Sequence, residues 1–292
     1  MINEETPEQP VKISEEKPEE KPFLSVIVHS FFIIPFLIAV FCLLLFAGMR
    51  LLTQEKRTAY DYLEDIQTGG VTKRWQGAFE LSKILANPQL LPEDETFYNQ
   101  VIKTFEHARE DDPRVRQYLA LAMGRTERPI FLKPLLKALD EEKEENLPAL
   151  IYALGMLKDK TASEKLSNYL ESSNARIRSI TTVALGNIAD PRSKMSLEKA
   201  LYDLEPNVQW GAAISLAKMS DPSGKDILLK LMTRSYLSKF SEVDPYEQNQ
   251  LILSAIDAAS FLHDPNLKDK IKELSQNDTN LQIRAAALKV LQ

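Results

Sequence analysis

The sequence predicts an all-α protein, an α-solenoid of helical hairpins preceded by one transmembrane helix. Three observations predict it. Only 9 of the 292 residues are glycine, while Leu, Ala, Lys and Glu are abundant, a composition that favours helices. An apolar stretch with no charged residue runs from Phe23 to Met49. From residue 71 onward the chain repeats itself at a fixed interval.

The chain divides into four zones. Residues 1–22 hold seven Glu and three Lys among several prolines, with little to bury, and read as a disordered acidic tail. That tail carries most of the net charge of −6, so the remainder is close to neutral. A near-neutral folded region gives no electrostatic reason to expect nucleic acid. Residues 23–52 read as the transmembrane helix. A helix of that length exceeds the hydrocarbon core of about 30 Å. A buried globular helix seldom has so many apolar residues in a row. A cleaved signal peptide would begin with a short basic region rather than a long acidic one. Pro35 is expected to kink this helix. His29, near its N-terminal interface, reads as an interfacial side chain, with a proton-coupled role as the alternative. Arg50, Lys56, Arg57, Lys73 and Arg74 follow the span, and their excess over Lys12, Lys17 and Lys21 leans toward a cytoplasmic repeat domain.

Residues 53–70 read as a juxtamembrane helix, with Tyr60, Leu63 and Ile66 on one face, ended by a Gly69-Gly70 hinge. Residues 71–292 form the repeat domain. Gly124, Gly155, Gly186 and Ala217 recur every 31 residues. Met123, Leu154, Leu185 and Leu216 keep the same interval. So do Leu135, Leu166, Leu197 and Leu228, and again Leu139, Leu170, Leu201 and Met232. Within each unit the apolar spacing is three and four. Val183, Ala184, Leu185 and Ile188 mark a first helix, and Leu197, Ala200 and Leu201 a second. Asp190-Pro191, Asp221-Pro222 and Asp264-Pro265 stand at the junctions, where proline stops one helix or opens the next. A small residue at Gly186 lets paired helices approach closely. No hairpin can bury its faces alone, so the units must stack.

This pattern resembles the HEAT-repeat family, in its short phycobilisome-lyase-type variant, over about residues 71–292. Val115-Arg116, Ile177-Arg178, Ile283-Arg284, the Ala184-Leu185-Gly186 run and the Asp-Pro junctions carry the resemblance. It implies a right-handed α-solenoid of HEAT-type hairpins, with the concave face built by the second helices. It also implies a ladder in which Arg116, Arg178 and Arg284 pair with Asp190, Asp221 and Asp264. Asn146-Leu147 departs from the pattern and interrupts it.

The edges of the array differ from its middle. A divergent first unit spans about residues 71–111. About 12 extra residues precede the fifth full unit, in an insertion near 233–249. The last unit reaches Gln292 with its first helix alone. Glu141-Glu142-Lys143-Glu144-Glu145 reads as a solvated loop.

No catalytic constellation emerges. His29, His107 and His263 are scattered, Cys42 is the single cysteine, and neither a nucleophile elbow nor a phosphate-binding glycine loop is present. The expectation is therefore a non-enzymatic membrane scaffold or adaptor, without cofactor, metal or small-molecule substrate. It would contact the bilayer through residues 23–52 and a membrane-associated protein partner through the solenoid. The alternative is a HEAT-like enzyme of the lyase or hydroxylase class. Trp75, Tyr236, Phe240 and Tyr246 are the candidate partner-binding residues.

Overall fold

The computed structural model describes residues 29–53 and 57–292, in two units that divide after Lys56. The acidic tail, residues 23–28, residues 54–56 and the side chain of His29 lie outside the described residues. In the first unit a π-helical turn, His29–Ile33, runs into α1 (Ile34–Thr53). Pro35 is the second residue of α1, where the winding changes from π to α. The stretch Phe31–Arg50 has a mean hydropathy of 2.8 and none of it is buried. By length and composition it suffices to cross a bilayer.

The second unit begins at Arg57, not at residue 71. The helix expected to be a neck is α2 (Ala59–Thr68), and it packs on α3 (Val71–Ile84) as part of the solenoid. Leu63 and Ile66 enter the core, and Tyr60 meets the edge of the Phe97 ring at 4.9 Å. Thr58 and Asp61 close a reciprocal capping box at the start of α2. Gly69-Gly70 makes a turn between two packed helices: the N–H of Gly69 donates to Asp65 O at 3.0 Å.

Helical hairpins then follow in order. Helix α3 is followed by α4 (Glu95–His107), which packs on α2 and on α5 (Pro113–Arg125), and α5 is followed by α6 (Leu132–Ala138). Next come α7 (Leu147–Leu157) with α8 (Ser163–Ser167), and α9 (Ala175–Ile188) with α10 (Lys194–Ala200). Helix α11 (Pro206–Lys218) pairs with α12 (Lys225–Leu231). A short α13 (Arg234–Leu237) fills the predicted insertion. Helices α14 (Pro245–Ala259), α15 (Pro265–Asn277) and α16 (Leu281–Leu291) complete the array.

The first helices form one layer, each packed on the next from α3 through α5, α7, α9, α11 and α14 to α16. The predicted columns form the core: Met123, Leu154, Leu185 and Leu216 are fully buried, as are Leu135, Leu166, Leu197 and Leu228. Each fully buried side chain of this size contributes roughly 1.5–3 kcal/mol of transfer free energy. The glycine column serves a contact other than the one expected. It lies between successive first helices rather than within a hairpin. A Cβ on Gly124 would stand 2.7 Å from the Ala153 Cα, and one on Gly186 would meet the Ser215 side chain. Val183 also departs from its expected place: it is partly exposed and lines a surface groove.

The helix junctions repeat as closely as the core. Glu127, Lys158, Ala189 and Ser220, spaced 31 apart, all adopt the left-handed conformation with φ of 52–57°. Each ends a first helix. The next residues are Arg128, Asp159, Asp190 and Asp221, followed by a single 3₁₀ turn that enters the second helix. The three aspartates cap those turns, so the Asp-Pro signal opens the second element.

Candidate functional site

The sixteen residues 202–217 show how the repeat builds a surface. The loop before α11 exposes the side chains of Tyr202 and Leu204 at one edge, and α11 then buries Val208, Trp210 and Leu216 and keeps Gln209, Ile214 and Lys218 half-buried. Adjacent first helices do the same. Between them runs a groove of about 550 Å³ lined by Gln117, Glu145, Tyr152, Arg176, Ile180 and Glu205, among others. It continues through Ser179 and Asn207 into a second depression of about 330 Å³ bordered by Val183, Ile214, Lys218, Leu251 and Asp257. These grooves lie along first helices, not along the second helices that the family resemblance pointed to. The lining mixes aliphatic, amide and charged groups, a character suited to a polypeptide surface.

An electrostatic rail runs beside the groove, and it differs from the expected ladder. Arg74 pairs with Asp111, Arg116 with Glu142 at 2.8 Å, and Arg178 with Asp203 through two hydrogen bonds of 2.8 Å. Each arginine lies on a first helix, and each acid precedes the next first helix. The expected acids Asp190, Asp221 and Asp264 lie at the other edge. Asp190 binds Arg192, Asp221 meets Lys194 at 3.3 Å, and Asp264 meets Lys225 at 2.9 Å. Arg284 does not take part in an ion pair with any of the three. Beside the Arg116–Glu142 pair, Gln117 donates to Asn146 Oδ1 at 3.1 Å and Asn146 donates to Glu142 Oε1 at 2.9 Å, and Leu147 stands where Arg116 and Arg178 stand in the neighbouring units. The loop read as wholly solvated therefore buries one member, Glu142.

Ion pairing shifts the carboxyls. The Arg178 guanidinium holds the Asp203 carboxyl below its ordinary range against the opposing effect of burial. Asp190 is lowered to about 2, chiefly by its hydrogen bond from Arg192. At the N-terminal end, burial pushes Asp65 upward, but Lys73 and Arg57 outweigh it and hold it below its usual value. Among the described residues no group of three or more His, Cys, Asp or Glu side chains is placed to hold a metal ion.

The candidate partner-binding residues fall into different surroundings. Trp75 is half-buried, with the Arg114 guanidinium 4.4 Å above its ring. It borders a depression of about 550 Å³ shared with Tyr62 and Phe79. Tyr236 and Phe240 pack edge-on against Trp210, at 6.4 and 4.9 Å between ring centroids, and Tyr236 Oη accepts from Trp210 Nε1 at 3.2 Å. These two rings hold the insertion on the solenoid, which leaves Tyr246 as the exposed aromatic of the group. Trp210, buried on α11, is the large side chain that these two rings cover.

These features define an all-α helical-repeat protein whose repeated unit is a hairpin of one long and one short helix. The family profile described as HEAT repeats matches residues 103–186 and 163–238, and the fold is a HEAT-repeat helical solenoid. Among solved structures, the complex of CpcE and CpcF of phycocyanin lyase from Nostoc sp. PCC7120 is similar. It has 15% identity over 82% of this chain and 95% of that chain, with a TM-score of 0.56. The archaeal HEAT-like repeats protein from Thermococcus onnurineus NA1 aligns at 16% identity over 82% and 97% of the two chains, with a TM-score of 0.43. Human deoxyhypusine hydroxylase in complex with glycerol aligns at 13% identity over 80% and 84%, with a TM-score of 0.34. No curated protein matches the sequence.

Proposed function

We propose that this chain is a membrane-anchored, non-enzymatic scaffold that tethers a HEAT-repeat solenoid to a bilayer and presents it to a protein partner. The observation that carries this reading is the helix Phe31–Arg50, with a mean hydropathy of 2.8 and no buried residue. A helix of this length and apolarity is suited to surroundings of lipid or protein. Tethering raises the effective concentration of the solenoid for partners in the same membrane. The basic residues after the span favour a cytoplasmic solenoid. The likeness to phycocyanin lyase concerns the fold and brings no lyase chemistry to this chain.

Alkaline carbonate extraction of membranes, with mass determination of the mature N-terminus, tests the anchor. A chain that stays in the pellet with residues 23–52 intact supports it. A soluble chain that begins after the apolar stretch shows a cleaved signal sequence and overturns it. Recovery of a stoichiometric protein with the tagged chain from mild detergent tests the scaffold role, and recovery of none counts against it.

A further inference from the structure

The repeats supply an internal control for surface composition, because equivalent positions share one backbone environment. On the exposed side of the second helices, Lys133, Glu164 and Asp226 occupy one position, and the α9–α10 unit alone places an apolar residue there, Met195. Seven residues on, Asp140, Glu171 and Thr233 correspond to Tyr202. Two residues further, Ser173 and Ser235 correspond to Leu204. Met195, Tyr202 and Leu204 are 70%, 86% and 95% exposed. Met195 lies on α10 with Lys199 one turn further on, and Tyr202 and Leu204 follow in the turn and loop after the helix ends at Ala200. Nothing in the fold requires these side chains, since three sister units fold with polar ones. A protruding leucine and tyrosine cost solubility, and a concentrated exposed apolar spot marks contact with another molecule.

The setting decides what kind of molecule. The loops joining hairpins, 108–112, 140–146, 171–174, 202–205, 239–244 and 278–280, hold fourteen acidic and three basic side chains; eight of the acids are held in ion pairs, and Glu144, Glu145, Glu171, Glu205, Glu242 and Asp244 are the acids outside those pairs. Glu205, next to Leu204 in sequence, and Glu171, which holds the position of Tyr202 in the preceding unit, enter no ion pair among the described residues, whereas Asp203 between Tyr202 and Leu204 is paired with Arg178. Glu205 also lines the groove that begins beside Leu204. An acidic edge repels an anionic lipid surface and a second copy of the same edge, and it attracts a cationic polypeptide.

We propose that the Met195–Tyr202–Leu204 spot, with the adjoining groove, docks a basic segment of a protein partner that carries large apolar side chains. The proposal rests on the scaffold reading and specifies the chemistry of the partner. Its test is a photoreactive phenylalanine analogue placed at position 204 of the full chain in intact cells, with position 173 as the equivalent exposed control. The captured peptides are then sequenced. The expected result is at least tenfold more adduct at 204 than at 173, on a peptide of net positive charge with two or more large apolar residues. Paired Glu171→Lys and Glu205→Lys changes should lower that yield at least fivefold. Equal yields at 204 and 173, adducts on lipid, on a second copy or on an acidic peptide, or indifference to the charge reversal would each overturn it. Membrane extraction in the same cells separates the two readings: a chain released by carbonate that still captures a basic peptide removes the anchor and leaves the docking spot standing.

Discussion

The Cα of Ala184 lies 2.6 Å from where a β-carbon on Gly155 would stand, so the two first helices α7 and α9 meet backbone to backbone. No flexible side-chain end is available to yield at that point. Changing Gly155→Ala must push the helices apart or distort them, at a cost of about 1–3 kcal/mol despite the higher helix propensity of alanine. Gly70, which has nothing within 4 Å of its would-be β-carbon, is the control, and Gly70→Ala should stay within about 0.5 kcal/mol of the parent. Urea denaturation followed by circular dichroism distinguishes them.

Ala189 occupies the left-handed region with φ of 52° and donates its N–H to Leu185 O at 2.9 Å, which ends α9. An L-residue with a β-carbon is disfavoured there, while glycine is not. Ala189→Gly is expected to raise stability by about 0.5–1 kcal/mol, after allowing for the greater entropy of glycine in the unfolded chain. The urea midpoint should move upward. A downward shift would mean that the methyl group makes contacts that outweigh the strain.

The repeat was legible in the sequence because leucine and glycine columns at a 31-residue interval are a direct imprint of stacked hairpins. Which helices the glycines join was not legible, since Gly186 reads the same whether it faces Leu197 in its own hairpin or Ser215 in the next. The left-handed positions escaped notice because Glu127, Lys158, Ala189 and Ser220 share no chemistry; what they share is a place in the turn. The ladder was misassigned for a related reason. Arg178 reaches forward 25 residues to Asp203, and nothing in local spacing favours that acid over Asp190. The place of α2 depended on the burial of Leu63 and Ile66, which a three-residue spacing suggests without naming the surface that covers them.

Asp190 links folding to pH. Its carboxyl falls to about 2 in the folded chain, through Arg192 and the backbone N–H that it caps, against an ordinary value of 3.8. A lowered folded pKa gives stabilisation that is complete above about pH 4 and is lost as pH falls from there toward about 2. Asp190→Asn keeps the cap but removes the charge. The variant should be less stable than the parent at neutral pH, and the gap should close between pH 4 and pH 2. A gap that stays constant over that interval would show that shape rather than charge is responsible. Urea titrations at several pH values measure it.

Arg178 and Asp203 are the best-sheltered two-point pair on the rail, with side chains only 15% and 13% exposed. The planar guanidinium engages both carboxylate oxygens, and Arg178 Nη1 also donates to Ser172 O at 2.9 Å, so one side chain ties α9 to the loop before α11 and to the loop before its own helix. Lysine has the charge but not the fork. Arg178→Lys should therefore lose much of the interaction, about 1 kcal/mol or more, and Arg178→Met should lose about 2–4 kcal/mol because Asp203 is left sheltered and unpaired. Pairing Arg178→Met with Asp203→Leu should recover part of that loss, since the stranded charge is then gone. Hydrogen exchange at the amides of residues 203–208 reports whether the damage is local. Faster exchange confined to that junction is expected, and uniform acceleration along the whole solenoid would contradict a nearest-neighbour role for the pair.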